Sequence, residues 1–283
     1  MKLSIENLIL SPDDFIDLQL HTENSDGKWT AETLIDYLIA EGFSLAAITD
    51  HDRTDIAVDL QKIALEKQFP LLVAVEVSSM WKGQLVDFLC YGFNPEDNAL
   101  LAITEDVVQR QYANTKHIVE TLHNKGYQFT SEEVDTALSK PSSQQVTELV
   151  ALVKNHEKEG EPIGKTLLEA GFTYETVSPS KIVTAAHESK AICLLAHPGR
   201  DDGFTCFDEV LLDELRAEAP IDGIEAYYPK HSTEQTQMYL EYARKYNLLV
   251  SSGSDSHSAE QPPIKYKAEL SRQLLERLGI RVD

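Results

Sequence analysis

The stretch DLQLHTENSDG, residues 17–27, sets the reading of this chain. Phe15, Ile16, Leu18 and Leu20 form an apolar run that reads as a strand over 15–20. It delivers His21 and then Asp26 into a turn ending at Gly27. A histidine and an aspartate just past a strand end have the character of metal ligands. Position 19 lies two residues before His21 and points the same way off the pleat, so a metal site would favour a second histidine there. The residue is Gln19. The chain is either a metal enzyme with an unusual ligand or a site that has lost its chemistry.

Outward from this stretch the chain alternates. TAETLIDYLIAEGF carries Leu34, Ile35, Leu38 and Ile39 at helical spacing and closes on Gly42. LAAIT (45–49), the helix-like IAVDLQKIALEKQ, LLVAVEV (71–77) and QLVDFLCYGF (84–93) follow. The rhythm resumes with AICLLAH (191–197), a helix over 207–218, DGIEAYY (222–228), a helix over 232–245 and LLVSSGSD (248–255). Strands alternating with helices predict a parallel sheet or barrel. Residues 100–185 are helical instead, including SQQVTELVALVKNHEKE (143–159) and IGKTLLEAGF. The expected organisation is an α/β barrel over 1–99 and 186–283 with a helical insertion over 100–185.

The 283 residues suit one large α/β domain or a core domain with an insertion, and 42% apolar residues suffice for a core. With 47 acidic and 25 basic residues the formal charge is −22. Such a field disfavours long nucleic acid and anionic membrane surface, whose binding rests on Lys and Arg. A small anionic substrate then needs local cations or metal ions. Cys90 and Cys193 sit inside apolar strand-like runs and read, with Cys206, as free thiols. No run approaches a membrane span and the first residues lack a cleavage pattern, so the expectation is a cytoplasmic protein.

Every predicted strand in the two α/β halves ends in ionisable, metal-capable side chains. They are His21 and Asp26; Asp50, His51 and Asp52; Glu76; Asp87; His197; Glu225 and His231; and Asp255 and His257. Each has a plainer reading alone: Asp26-Gly27 as a turn, Asp50 or Asp52 as helix caps, Glu76 paired with a buried cation. Together they match the active face of an α/β barrel, where imidazoles and carboxylates converge on divalent metals. His117, His123, His156 and His187 lie in or beside helical segments and are read as ordinary residues.

The segments DLQLHTENSDG, ITDHD, VEVSS, LLAHPGR, GIEAYYPKHS and SSGSDSH together resemble the polymerase and histidinol phosphatase (PHP) family, and most its TrpH-like branch of small-nucleotide phosphoesterases. The resemblance spans both α/β halves in order and implies a distorted (β/α)7 barrel. It implies two to three divalent ions (Mn, Fe or Zn, with Mg open) in three positions. Gln19, His21, Glu76 and Asp255 would hold the first, with Glu76 bridging. Glu76, Asp87 and His197 would hold the second, and Asp26, His51 and His257 the third. Gln19 and Asp87 each stand where the family pattern has histidine. Asp87 remains a competent anionic ligand, whereas Gln19 offers only a neutral amide, as a weak ligand or as a partner that orients a ligand.

The expected reaction is hydrolysis of a small phosphomonoester, a nucleoside monophosphate or 3′,5′-bisphosphate, by a metal-activated hydroxide. Arg200 is the candidate phosphate clamp and His231 the candidate acid for the leaving oxygen. Lys230 reads equally as a substrate contact or a surface lysine, and Tyr227 or Tyr228 as a base-stacking ring or a core aromatic. The alternatives are 5′→3′ exonuclease action on short RNA, and a metal-holding regulatory protein impaired by Gln19.

Overall fold

The computed structural model describes residues 3–156 and 162–283; the end of the expected helix over 143–159 falls at 157–159, outside them. The strands are β1 (Ile9–Leu10), β2 (Phe15–Leu20), β3 (Phe43–Ile48), β4 (Leu71–Leu72), β5 (Ala74–Trp81), β6 (Gln84–Tyr91), β7 (Ile192–Leu195), β8 (Gly223–Tyr227), β9 (Leu249–Ser252), β10 (Tyr266–Lys267) and β11 (Arg281–Val282). The helices are α1 (Ala31–Glu41), α2 (Ala57–Glu66), α3 (Leu100–Asn124), α4 (Ser131–Ser139), α5 (Gln145–Asn155), α6 (Ile163–Glu169), α7 (Pro179–Glu188), α8 (Glu209–Glu218), α9 (Thr233–Tyr246) and α10 (Arg272–Arg277).

Local chemistry sets these elements. Thr30 caps α1 by accepting from the Thr33 N–H, Leu34, Ile35 and Leu38 bury its apolar stripe, and Gly42 ends it at φ 78°. Between β5 and β6, Lys82 and Gly83 both take positive φ (50° and 82°). A two-residue loop of this kind matches strand twist and folds the chain back as a hairpin.

The chain divides into two compact units, Met1–Thr104 with Val177–Asp283, and Glu105–Thr176. The first carries two main sheets, ordered β10-β2-β3-β4 and β5-β6-β7-β8-β9. β2 is parallel to β3, and β7 to β8 to β9. The all-parallel expectation is corrected at β6, which runs antiparallel to both β5 and β7. The hairpin is the cause, because a two-residue connection cannot return the chain to a parallel start. Isolated bridges Leu20–Ser256 and His51–Glu76 link strand ends of one sheet to the other. Leu18, Leu45, Leu72, Leu89 and Leu194, from both sheets, share one buried apolar cluster. α7, placed by sequence in the insertion, belongs to this unit and packs on β7.

The second unit is helical. Its own core gathers Ile118, Leu122, Tyr127, Leu149, Leu152 and Leu167. α4 opens with a full capping box, Thr130 accepting from the Glu133 N–H and Glu133 accepting from the Thr130 N–H.

Candidate metal centre

The two-residue period along β2 puts Asp17, Gln19 and His21 on one line. All three are buried. On the hairpin, Asp87 lies opposite Ser78, one pleat from Glu76, so both carboxylates share a face. His51 follows β3, His197 follows β7, and Asp255 and His257 follow β9. Tertiary pairing brings these ends together at Glu76.

His21 Nε2 lies 3.0 Å from Glu76 Oε2 and 3.2 Å from Asp255 Oδ1. His197 Nε2 is 3.0 Å from Glu76 Oε1 and 3.8 Å from Asp87 Oδ2, and His51 Nε2 is 3.8 Å from Glu76 Oε2. Asp26 is 3.3 Å from His257 Nε2 and 3.9 Å from His51 Nε2. The rings of His51 and His257 stack on His21 with centroids 4.7 and 4.2 Å away. Among the described residues three groups have donor atoms close enough to share an ion: His21, Asp26, His51 and His257; His21, Glu76 and Asp255; and His51, Glu76 and Asp87.

This donor set fits divalent metal. Nδ1 of His21 and Nδ1 of His51 are buried without a hydrogen-bond partner. Buried polar atoms are seldom left so without an ion or water. The mixture of imidazole and carboxylate suits borderline and harder divalent ions. Burial pushes Asp87 well above the usual carboxylate range, helped by Glu76 and Asp52. Burial pulls Glu76 the same way, but His51, His197 and His21 outweigh it and hold that carboxyl low.

Several sequence candidates sit elsewhere. Asp50 accepts from the Thr22 N–H (2.7 Å), the Thr22 hydroxyl (2.6 Å) and the Ser25 hydroxyl (2.6 Å), and so shapes the turn that presents Asp26. Asp52 accepts from the Ser78 N–H at 3.0 Å, and Glu225 from the His197 N–H at 3.0 Å. Gln19 directs its amide Nε2 at Glu76, 3.0 Å from each oxygen. His231, the candidate acid, is engaged at both ring nitrogens. Its Nδ1–H donates to the Ala226 carbonyl (3.0 Å), and its Nε2 accepts from the Gly199 N–H (3.0 Å). Neither nitrogen is free for a leaving group, and burial lowers its pKa to about 4. A Cβ at Gly199 would lie 2.7 Å from the His231 ring, so only glycine permits this approach.

Beside the ligands lies a cleft of about 630 Å³. Asp26, His51, Asp255 and His257 contribute to its lining, with Arg200 and Lys230 among the cations and Phe204, Pro262, Pro263 and Ile264 on the apolar side. Arg200 Nε pairs with Asp202, its guanidinium lies 4.0 Å from the Phe204 ring centre, and Nη1 is 3.8 Å from Asp255. Lys230 reaches the other Asp202 oxygen at 3.7 Å.

Two further residues have roles that sequence reasoning did not give them. Tyr228, read there only as a stacking or core ring, donates its hydroxyl to Asp255 Oδ2 at 3.2 Å. Asp17 accepts from the N–H groups of Ser254 (2.9 Å) and Ile264 (2.9 Å), tying down both ends of the segment that carries Asp255, His257 and the prolines. Its place on the line of Gln19 and His21 was the available signal.

A PHP domain family model matches residues 17–170. A 3′,5′-nucleoside bisphosphate phosphatase of Chromobacterium violaceum is 27% identical over 250 residues, covering 86% of this chain and 87% of that one. A phosphoribosyl 1,2-cyclic phosphate 1,2-diphosphodiesterase of Eggerthella lenta is 25% identical over 251 residues, covering 85% and 93%. A solved structure from Bifidobacterium adolescentis, provisionally described as a metal-dependent phosphoesterase, superposes with a TM-score of 0.71 at 21% identity, covering 95% of this chain and 97% of that one.

Proposed function

Because this chain belongs to the PHP domain family, we propose that it is a metal-dependent phosphoesterase that hydrolyses a small phosphomonoester, a nucleoside monophosphate or 3′,5′-bisphosphate. The observation that carries the reading is the convergence of His21, His51, His197, Asp87 and Asp255 on Glu76 beside a cleft lined by Arg200. The bridges between the sheet ends support treating the two sheets as one distorted seven-stranded barrel with its ligands at one mouth. Glu105–Thr176 is the insertion.

His21, Glu76 and Asp255 would hold one ion, His197, Glu76 and Asp87 a second, and Asp26, His51 and His257 a third. Two or three divalent ions, Mn, Fe or Zn, are the expected complement. Bound there, they supply Lewis acidity and a water of lowered pKa. The chain's own residues do the rest. Arg200 exchanges Asp202 for phosphoryl oxygens and stabilises charge as it redistributes. Glu225 and His231 hold the segment from His197 to Arg200 from beneath. The apolar side of the cleft receives the organic moiety of the substrate, and Lys230 sits at its rim for a second anionic group.

The test is turnover of p-nitrophenyl phosphate, nucleoside monophosphates and 3′,5′-bisphosphates by Mn²⁺-loaded protein. Release of inorganic phosphate, suppressed by chelator, is the expected result. A metal-loaded protein inert toward all of them overturns the reading.

A further inference from the structure

Gln19 is the amide among the imidazoles and carboxylates of the site, and its surroundings restrict what it can do. Its backbone is held on both sides: its N–H donates to Asp17 (3.3 Å), and its carbonyl accepts from the Asp255 N–H (3.0 Å). Gly253 packs so closely that a Cβ there would lie 2.4 Å from Gln19 Cβ. The side chain is fully buried, so its stem has no room to swing. Its Nε2 stands 3.0 Å from both oxygens of Glu76. An anionic carboxylate accepts only, so the nitrogen, and not the amide oxygen, must face it.

We propose that Gln19 is a positioning residue that fixes Glu76 through an N–H shared between its two carboxylate oxygens. The inference rests on the metal-dependent reading above. It also makes a distinction that a ligand role would not. Glu76 belongs to two of the three donor groups, and the group of His21, Asp26, His51 and His257 does not include it. Loosening Glu76 weakens two ions together, whereas deleting a ligand weakens one.

Metal-free wild type, Gln19→Met and Gln19→His are titrated with Mn²⁺ alone, followed by calorimetry and by elemental analysis after gel filtration. Methionine keeps the length and removes the donor. Two binding steps should weaken together by about 10–100-fold, the range for losing a group that orients a ligand, while the third step stays unchanged. Gln19→His also removes the amide brace, so the step of His197, Glu76 and Asp87 should weaken whatever the new imidazole does at the step of His21, Glu76 and Asp255. If Gln19→Met weakens a single step, or none, the inference is overturned. Where Gln19→Met does not fold, Gln19→His decides alone, and an unweakened step of His197, Glu76 and Asp87 overturns the inference. Wild type that takes up no Mn²⁺ overturns the inference too, but by a separate result that removes the metal-dependent reading beneath it.

Discussion

Arg200 and His231 show how differently two side chains near one site can act. Arg200 lines the cleft within 3.8 Å of Asp255, with Asp202 holding its guanidinium in place. Arg200→Ala should therefore lower turnover by about 10²–10³-fold, the usual cost of losing one charged contact to a transition-state oxygen. Metal content measured after gel filtration should stay unchanged. His231 has no free nitrogen and acts through Gly199 on the segment bearing His197 and Arg200. His231→Ala should slow p-nitrophenyl phosphate and nucleotide hydrolysis by similar factors. An acid would behave otherwise, because p-nitrophenolate needs little protonation and its hydrolysis would be spared. Equal losses in parallel assays support the brace, and selective loss on nucleotides restores the acid. Spacing along the chain could place His231 near the site but could not show that backbone groups occupy both nitrogens.

At the scale of elements, periodicity is a sound guide to type and a weaker one to direction. The strand of residues 15–20 coincides with its expected pattern and is buried on both faces from Ile16 to Leu20, while the α1 stripe buries Leu34, Ile35 and Leu38 but leaves Ile39 exposed. The antiparallel course of β6 is in principle legible in WKGQ, where Lys82 and Gly83 alone separate two apolar runs. Both runs also fit the rhythm of the parallel strands around them, and that rhythm masks the reversal. β1 and β11 are two residues each and pair only with one another, 272 positions apart by Ile9 and Arg281, so no local pattern announces them. In the helical unit the capping box is directly testable. Thr130→Ala removes a cap worth about 1 kcal/mol and should lower helix content or melting temperature. Glu133 has a carboxyl pulled down to about 2 by the Thr130 N–H, His156 and the Thr130 hydroxyl. A lowered carboxyl pKa contributes stability that is complete above the unfolded value and lost as pH falls through the folded one. Glu133→Gln should accordingly lower the melting temperature at pH 6 and matter progressively less toward pH 2.

For the whole molecule, metal uptake should be linked to protons and to stability. Asp87 is pushed well above its usual range by burial and by Glu76 and Asp52. His21 is also raised, because Asp255 and Glu76 outweigh the opposing effect of burial. Ligation requires both to be unprotonated, so Mn²⁺ binding near neutral pH should release protons and weaken as pH falls. Calorimetry in buffers of different ionisation enthalpy measures the number released. Free metal at a hundred times its Kd should stabilise by about 2.7 kcal/mol, seen as a melting temperature that drops on chelation. The charge of −22 acts over the same scale. On a 5′-labelled oligonucleotide ladder activity should decline with length, and robust degradation of long RNA would require a local basic track instead.

The seam at which Leu20 meets Ser256 also bears on synthesis. His21 emerges from the ribosome more than two hundred residues before Asp255 and His257, and the helical segment is made in between. During most of translation the first strand therefore carries ligands with no partners, beside an edge that only the last strands will cover. A nascent chain halted before β9 should hold metal poorly and expose that edge to neighbouring chains. Long-range closure of this kind is slow. The helical segment has a core of its own and should be able to fold during the interval in which the first α/β half waits.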